Sequence, residues 1–175
     1  MNIRKEERKD YNEVFKLIEN AFKGEQFTDH QEKFLVERLR NAESFIPELS
    51  LVAEVDKQVV DYALLTKIKI IDNNSNDTTS LALAPVAVLK NFQGMGIGTS
   101  LIRKAHEVAK SLNYGSIILL GHENYYPKFG YKMIKSYGIK LPFDVPDENC
   151  MLIELTENAL ENVHGMVEYP KEFYG

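Results

Sequence analysis

Apolar residues recur at helical spacing between Asp10 and Phe22, where Tyr11, Val14, Phe15, Ile18, Ala21 and Phe22 share one face. Asp10 stands where an N-cap belongs and Gly24 where a helix ends. A weaker repeat through Phe34, Leu35 and Leu39 predicts a second helix over 29–41, with the loop Lys23-Gly24-Glu25-Gln26-Phe27-Thr28 between the two. Pro47 marks a break, and the period then changes. Leu49 to Val55 reads as a strand, Asp56-Lys57-Gln58 as a turn, and Val59 to Ile71 as the long return strand of a hairpin. The polar run Asp72 to Asp77 is a second turn, and Thr79 to Val88 is a strand apolar enough to be buried on both faces.

Helical spacing returns from Gly96 to Lys110, with Ile97, Leu101, Ile102, Ala105, Val108 and Ala109 inward and Asn113-Tyr114-Gly115 as the stop. Ile117 to Leu120 is a short buried strand. A helical turn around Tyr125 and Tyr126 follows, then at least one strand at Met151 to Leu155, and Ile3 sits in a short first strand. Two helices, a meander of strands and a strand–helix–strand unit predict an α+β fold on a mixed sheet.

Length and composition narrow the class. A chain of 175 residues suits one domain, 1–175, and 44% hydrophobic with 27% charged residues argues against disorder. No apolar run approaches the ~20 residues of a membrane span, and Met1 to Glu7 is charged rather than signal-like. The expected location is cytoplasmic. The lone Cys150 fits a reducing compartment and reads as a small packed hydrophobe. A net charge of −5 without a Lys/Arg cluster argues against nucleic acid as the main partner and is compatible with a cationic amine. His30, His106 and His164 are too scattered to suggest a metal, and none is expected.

The candidate chemistry lies in Leu83 to Thr99, where a strand runs into a glycine-dense turn and a helix. A helix start leaves N–H groups unpaired and suits an anion, and Gly94, Gly96 and Gly98 permit unusual backbone angles and close approach. A tight turn with no ligand is the bland alternative. A nucleotide P-loop would need a lysine after Gly98, where Thr99-Ser100 stands. A dinucleotide fingerprint would need glycine at Thr99 and an acid after the next strand, where Gly121-His122 stands.

Gln93-Gly94-Met95-Gly96-Ile97-Gly98 resembles the Gln/Arg-x-x-Gly-x-Gly/Ala signature of the GNAT N-acetyltransferase superfamily, with Val86-Ala87-Val88 in place of its preceding strand. Asn124-Tyr125-Tyr126-Pro127-Lys128-Phe129-Gly130-Tyr131 is similar to a second segment of that superfamily, and Leu120-Gly121-His122 before it resembles the YhbS-like branch. The resemblance implies a mixed, mostly antiparallel central sheet flanked by helices, with acetyl-CoA as co-substrate and a small-molecule or peptide amine as acceptor. It leaves a homodimer open. Gln93, Gly94, Met95, Gly96, Gly98 and Thr99 would hold the CoA pyrophosphate, and Val86 and Val88, with Ala87 between them, would pair with the pantetheine arm. Ile97 would point into the core.

Tyr126 aligns with the tyrosine that protonates the leaving thiolate, and Tyr125 is its rival. His122, Glu123, Glu54 and Glu25 are candidate bases, none of them singled out. The chain departs from the family at Asp61, where a glycine is usual, and at Lys90-Asn91, where a proline is common. A binding module that holds acyl-CoA without catalysis is the alternative reading. An NAD-dependent oxidoreductase is disfavoured by Thr99 and the missing ribose-binding acid.

Overall fold

The long hairpin is the frame. In a computed structural model, which describes residues 1–26 and 28–175, β2 (Phe45–Val55) and β3 (Gln58–Ile71) are joined by Asp56 and Lys57, with φ of +50° and +67°. Two consecutive left-handed residues make the tight turn whose twist matches that of the flanking strands. β1 (Asn2–Lys5) adds to β2, and β4 (Asp77–Val88) pairs antiparallel with β3 along almost its whole length. β5 (Ser116–Leu120) pairs with β4 in parallel, after the crossover helix α3 (Ile97–Ser111). β6 (Lys132–Met133), β7 (Ile139–Lys140), β8 (Cys150–Glu154) and β9 (Gly165–Glu168) complete a mixed, mostly antiparallel sheet of nine strands among the described residues. Its order is β1-β2-β3-β4-β5-β8-β6, with β9 on the far end of β3 and β7 on β9.

Alternation along β3 assigns the faces. Tyr62 and Leu64 pack under α1 (Tyr11–Phe22) and α2 (Glu32–Leu39), against Val14, Leu17, Ile18, Val36 and Leu39. Ala63 and Leu65 face α3, against Leu101, Ala105 and Ala109. A buried polar chain ties the first layer together. The Arg40 guanidinium pairs with Glu6 and lies 3.9 Å from the Tyr11 ring centre. Ser50 Oγ donates to Glu6 at 2.6 Å and meets Tyr62 Oη at 2.9 Å.

Several elements differ from expectation, each for a local reason. Pro47 does not break the chain but lies exposed inside β2, where the pairing shifts between Phe45 and Ser50 and no ladder bond is asked of it. Asp10 does not cap α1 through its side chain. Its carboxylate accepts from Arg4 at 2.7 and 3.0 Å and from the Glu7 N–H at 2.8 Å, closing a 3₁₀ turn over Arg8–Asp10. α2 is shorter than 29–41, because Asp29 is spent on a local turn to the Gln31 N–H at 2.9 Å. β4 is buried at Leu81 to Leu83 and only half-buried at Val86 and Val88. Phe27, in the expected α1–α2 loop, lies outside the described residues. Cys150 is buried, and burial raises its thiol.

Candidate active site

β4 and β5 pair only at Leu81–Ile117 and Ala82–Ile118. Beyond these contacts β4 runs on to Val88 with its β5-side edge open. A bulge helps to re-aim it, since Leu83 and Val86 face Leu65 and Ala63, three steps of chain against two. The Leu89 N–H donates to Val60 O at 2.9 Å, so this pair is a hydrogen-bonded one. Alternation then makes Tyr62–Ala87 another, and turns the peptide groups of Val86 and Val88 away from β3 and toward the open edge. Ala87 itself is buried on the α1–α2 face.

A 3₁₀ turn over Lys90–Phe92 takes the place of the familiar proline and leads into the glycine turn, with Lys90 Nζ donating to Lys23 O at 3.3 Å. Gly94 and Gly96 have φ of +75° and +79°, and a Cβ at either would meet nothing within 4 Å, so the backbone angle and not crowding requires glycine there. The first bond of the α3 region runs from Ser100 N to Gly96 O at 3.0 Å, which leaves the N–H groups of Ile97, Gly98 and Thr99 ahead of the helical ladder. Met95 projects outward, and Ile97 is buried against Ala53 and Val60. At Gly98 the surroundings are closer. A Cβ there would lie 3.4 Å from both Asp61 Oδ2 and Tyr125 Oη.

The wall opposite β4 is the end of β5 and the turn after it. Gly121 is anchored to Asn149, its N–H donating to Asn149 O at 2.9 Å and its carbonyl accepting from Asn149 Nδ2 at 3.0 Å. The Tyr126 ring lies across Gly121 so closely that a Cβ would be 2.2 Å from it. Tyr125, Phe129 and Tyr131 surround that ring, with centroids 5.0, 6.3 and 5.7 Å away. The two tyrosines are therefore separated: Tyr125 reaches the start of α3, and Tyr126 covers the end of β5. Burial holds the Tyr126 phenol well above its ordinary value, with Tyr125 and Asp61 adding to the effect. Burial also raises Tyr125, against the pull of a nearby Thr99 hydroxyl.

Among the candidate bases, Glu54 is held by Arg4 at 2.9 Å and Glu123 accepts from Asn149 Nδ2 at 3.0 Å, while His122 and Glu25 are exposed. Sequence reasoning missed the His106 Nε2 contact to Tyr131 Oη at 2.8 Å, behind Tyr126; burial pushes this imidazole down to about 4. It also passed over Asp61 as a buried acid, although an aspartate between Val60 and Tyr62 in an apolar strand is a visible signal. Among the described residues no group of His, Cys, Asp and Glu could hold a metal, and no helix is long and apolar enough to cross a membrane.

A parallel strand pair that parts beside a glycine-rich helix start, with one open strand edge, is the framework of an acyl-CoA-dependent acyltransferase. Residues 11–131 match the model of the Acetyltransferase (GNAT) family, and the chain belongs to that family, with acetyl-CoA as its co-substrate. It is 32% identical over 127 residues to the uncharacterized N-acetyltransferase YjhQ of Escherichia coli (strain K12), covering 71% of this chain and 70% of YjhQ. The crystal structure of YhbS from Escherichia coli in complex with CoA superposes with a TM-score of 0.87 at 24% identity, over 99% of this chain and 92% of that one. A GNAT family acetyltransferase from Brucella melitensis in complex with acetyl-CoA gives 0.81 at 28% identity, over 98% and 97%.

Proposed function

We propose that the chain, as one domain over 1–175, moves the acetyl group of acetyl-CoA directly to the amine of a small molecule or peptide within a ternary complex. The observation that carries this is the open edge of β4 at Val86 and Val88, which leads from the glycine turn to the Tyr126 ring. The pyrophosphate binds the N–H groups from Gly94 to Thr99, including those of Met95, Gly96 and Gly98, with Gln93 at the entrance. The pantetheine arm pairs with Val86 and Val88 as an added strand, Ala87 between them. An amide of the same edge polarises the thioester carbonyl as its oxygen gains charge. The amine nitrogen forms the new N–C bond, loses a proton to solvent or a base, and the C–S bond breaks.

Tyr126 then gives its proton to the departing thiolate. A raised phenol is a weaker acid, yet the thiolate leaves into the same desolvated cleft, where burial raises the thiol as well. Proton transfer stays matched because both partners move in one direction. Tyr125, aimed at the start of α3, serves the pyrophosphate end instead.

Tyr126→Phe keeps the ring packing and removes the hydroxyl. Single-turnover thiol release with an amine acceptor should fall by about 10²–10⁴-fold, with acetyl-CoA affinity nearly unchanged. Tyr125→Phe should cost less. Wild-type turnover by Tyr126→Phe would remove the acid from the scheme, and thiol release that no amine in a broad panel accelerates would favour the acyl-CoA-binding module.

A further inference from the structure

Asp61 lies in the middle of β3, opposite Ala53 of β2 and Val88 of β4, and is fully buried. Its Oδ1 accepts the Tyr62 N–H at 2.8 Å. Its Oδ2 is buried too, with no hydrogen-bond partner among the described residues. That oxygen is aimed at the first turn of α3, at the place a Gly98 side chain would fill. The surrounding elements bring it no cation among the described residues. β2 presents Ala53, β4 Val88, and α3 Ile97 and Gly98, while the titratable groups facing it are the phenols of Tyr125 and Tyr126.

A carboxylate in such a place loses its hydration and gains no counter-charge, so the neutral acid is favoured. Burial pushes Asp61 up to about 7, the Tyr62 N–H pulling the other way. On the reading given above, the unpaired N–H groups on the outer side of the same helix start receive the donor's pyrophosphate. An ionised Asp61 and a pyrophosphate would then flank a single residue without a side chain, and two anions that close repel strongly where water is excluded.

We propose that Asp61 has to carry a proton when the donor's pyrophosphate docks on the glycine turn, so that donor binding and proton uptake by this carboxyl are one event. This rests on the glycine turn being the pyrophosphate site. Near pH 7 about half of the free protein carries the proton, and the bound anion tightens its hold on it. Donor affinity is accordingly level in mildly acidic buffer. Above pH 7 it falls by up to about tenfold per pH unit, until the acid of the complex also ionises.

Dephospho-CoA is the probe, because the 3′-phosphate of CoA has its own ionisation near a pKa of about 6. Calorimetric titration of the whole protein in buffers of different ionisation enthalpy counts the protons. The expected uptake is about half a proton at pH 7 and close to one at pH 8. In Asp61→Asn the uptake should vanish and the affinity should stay level from pH 6 to 8. Asp61→Gly gives the same answer should the asparagine variant fail to fold. Binding by the wild type with no buffer-dependent heat, or equal uptake in the Asp61 variants, would overturn the proposal. A protein that did not bind dephospho-CoA at any pH would overturn the glycine-turn reading along with it.

Discussion

Gly121 shows how one missing methyl group can position an aromatic side chain. Its φ lies outside the left-handed region, so alanine is conformationally permitted there, and the chief obstacle is the Tyr126 ring, 2.2 Å from the added Cβ, with the flexible end of Leu119 at 3.1 Å. Gly121→Ala should fold and bind acetyl-CoA, but with the phenol displaced. A shift of that size near the chemistry is worth about 10²-fold in rate. Adding Tyr126→Phe to it should cost little more, because both changes remove one interaction. Stopped-flow thiol release on the two single variants and the double would decide it, and simple multiplication of the losses would separate the two residues. None of this was legible in the sequence. Tyr125 and Tyr126 are adjacent and chemically alike, and their different directions depend on a turn that packs against two separate elements. Gly94 and Gly96 were legible as turn glycines, because their spacing before a helical repeat is itself the signal, whereas Gly98 is helical within α3 and has no left-handed φ.

At the scale of elements, the long ones and the short strands β1, β5 and β8 could be read, and the shortest of the C-terminal third could not. α1, α3, β3 and β4 each span enough residues for a period to repeat, whereas β6 and β7 have two residues and β9 has four. These short strands exist through their partners, β6 on β8, β9 on β3 and β7 on β9, and carry no pattern of their own. Asp10 was misread for a related reason: Arg4, on β1, competes for the carboxylate that would have capped α1. The Glu6–Arg40–Ser50–Tyr62 chain joins the end of α2 to β2, β3 and the residue after β1 in the same sequence-distant way. Arg40→Met would leave the Glu6 carboxylate buried with the Ser50 hydroxyl as its remaining support. A loss of about 3–5 kcal/mol is expected, read as a lower urea midpoint at constant slope. The pair Glu6→Gln with Arg40→Met should recover much of it. A loss below about 1 kcal/mol in the single variant would mean that the ion pair is screened after all.

For the whole molecule, binding of the co-substrate should register as stability. A ligand held only by the folded state at a hundred times its Kd contributes about 2.7 kcal/mol, which for a chain of this size raises Tm by about 5–10 °C. Acetyl-CoA should do this in differential scanning fluorimetry, and ATP or NADH at the same concentration should do less. No shift at millimolar acetyl-CoA would contradict a donor site built into the native sheet. The open edge of β4 has a further consequence. Unsatisfied strand edges are usually found at the rim of a sheet, where another protein can zip onto them. This one lies in the interior of the strand order, with β3 on one side and β5, already joined to β8, on the other. A foreign sheet cannot enter such a slot without tearing β5 away, whereas a single thread with amides along it can. The fold thus keeps a sticky backbone permanently on offer while shielding it from aggregation, and selects its visitors by thinness before any side chain is consulted.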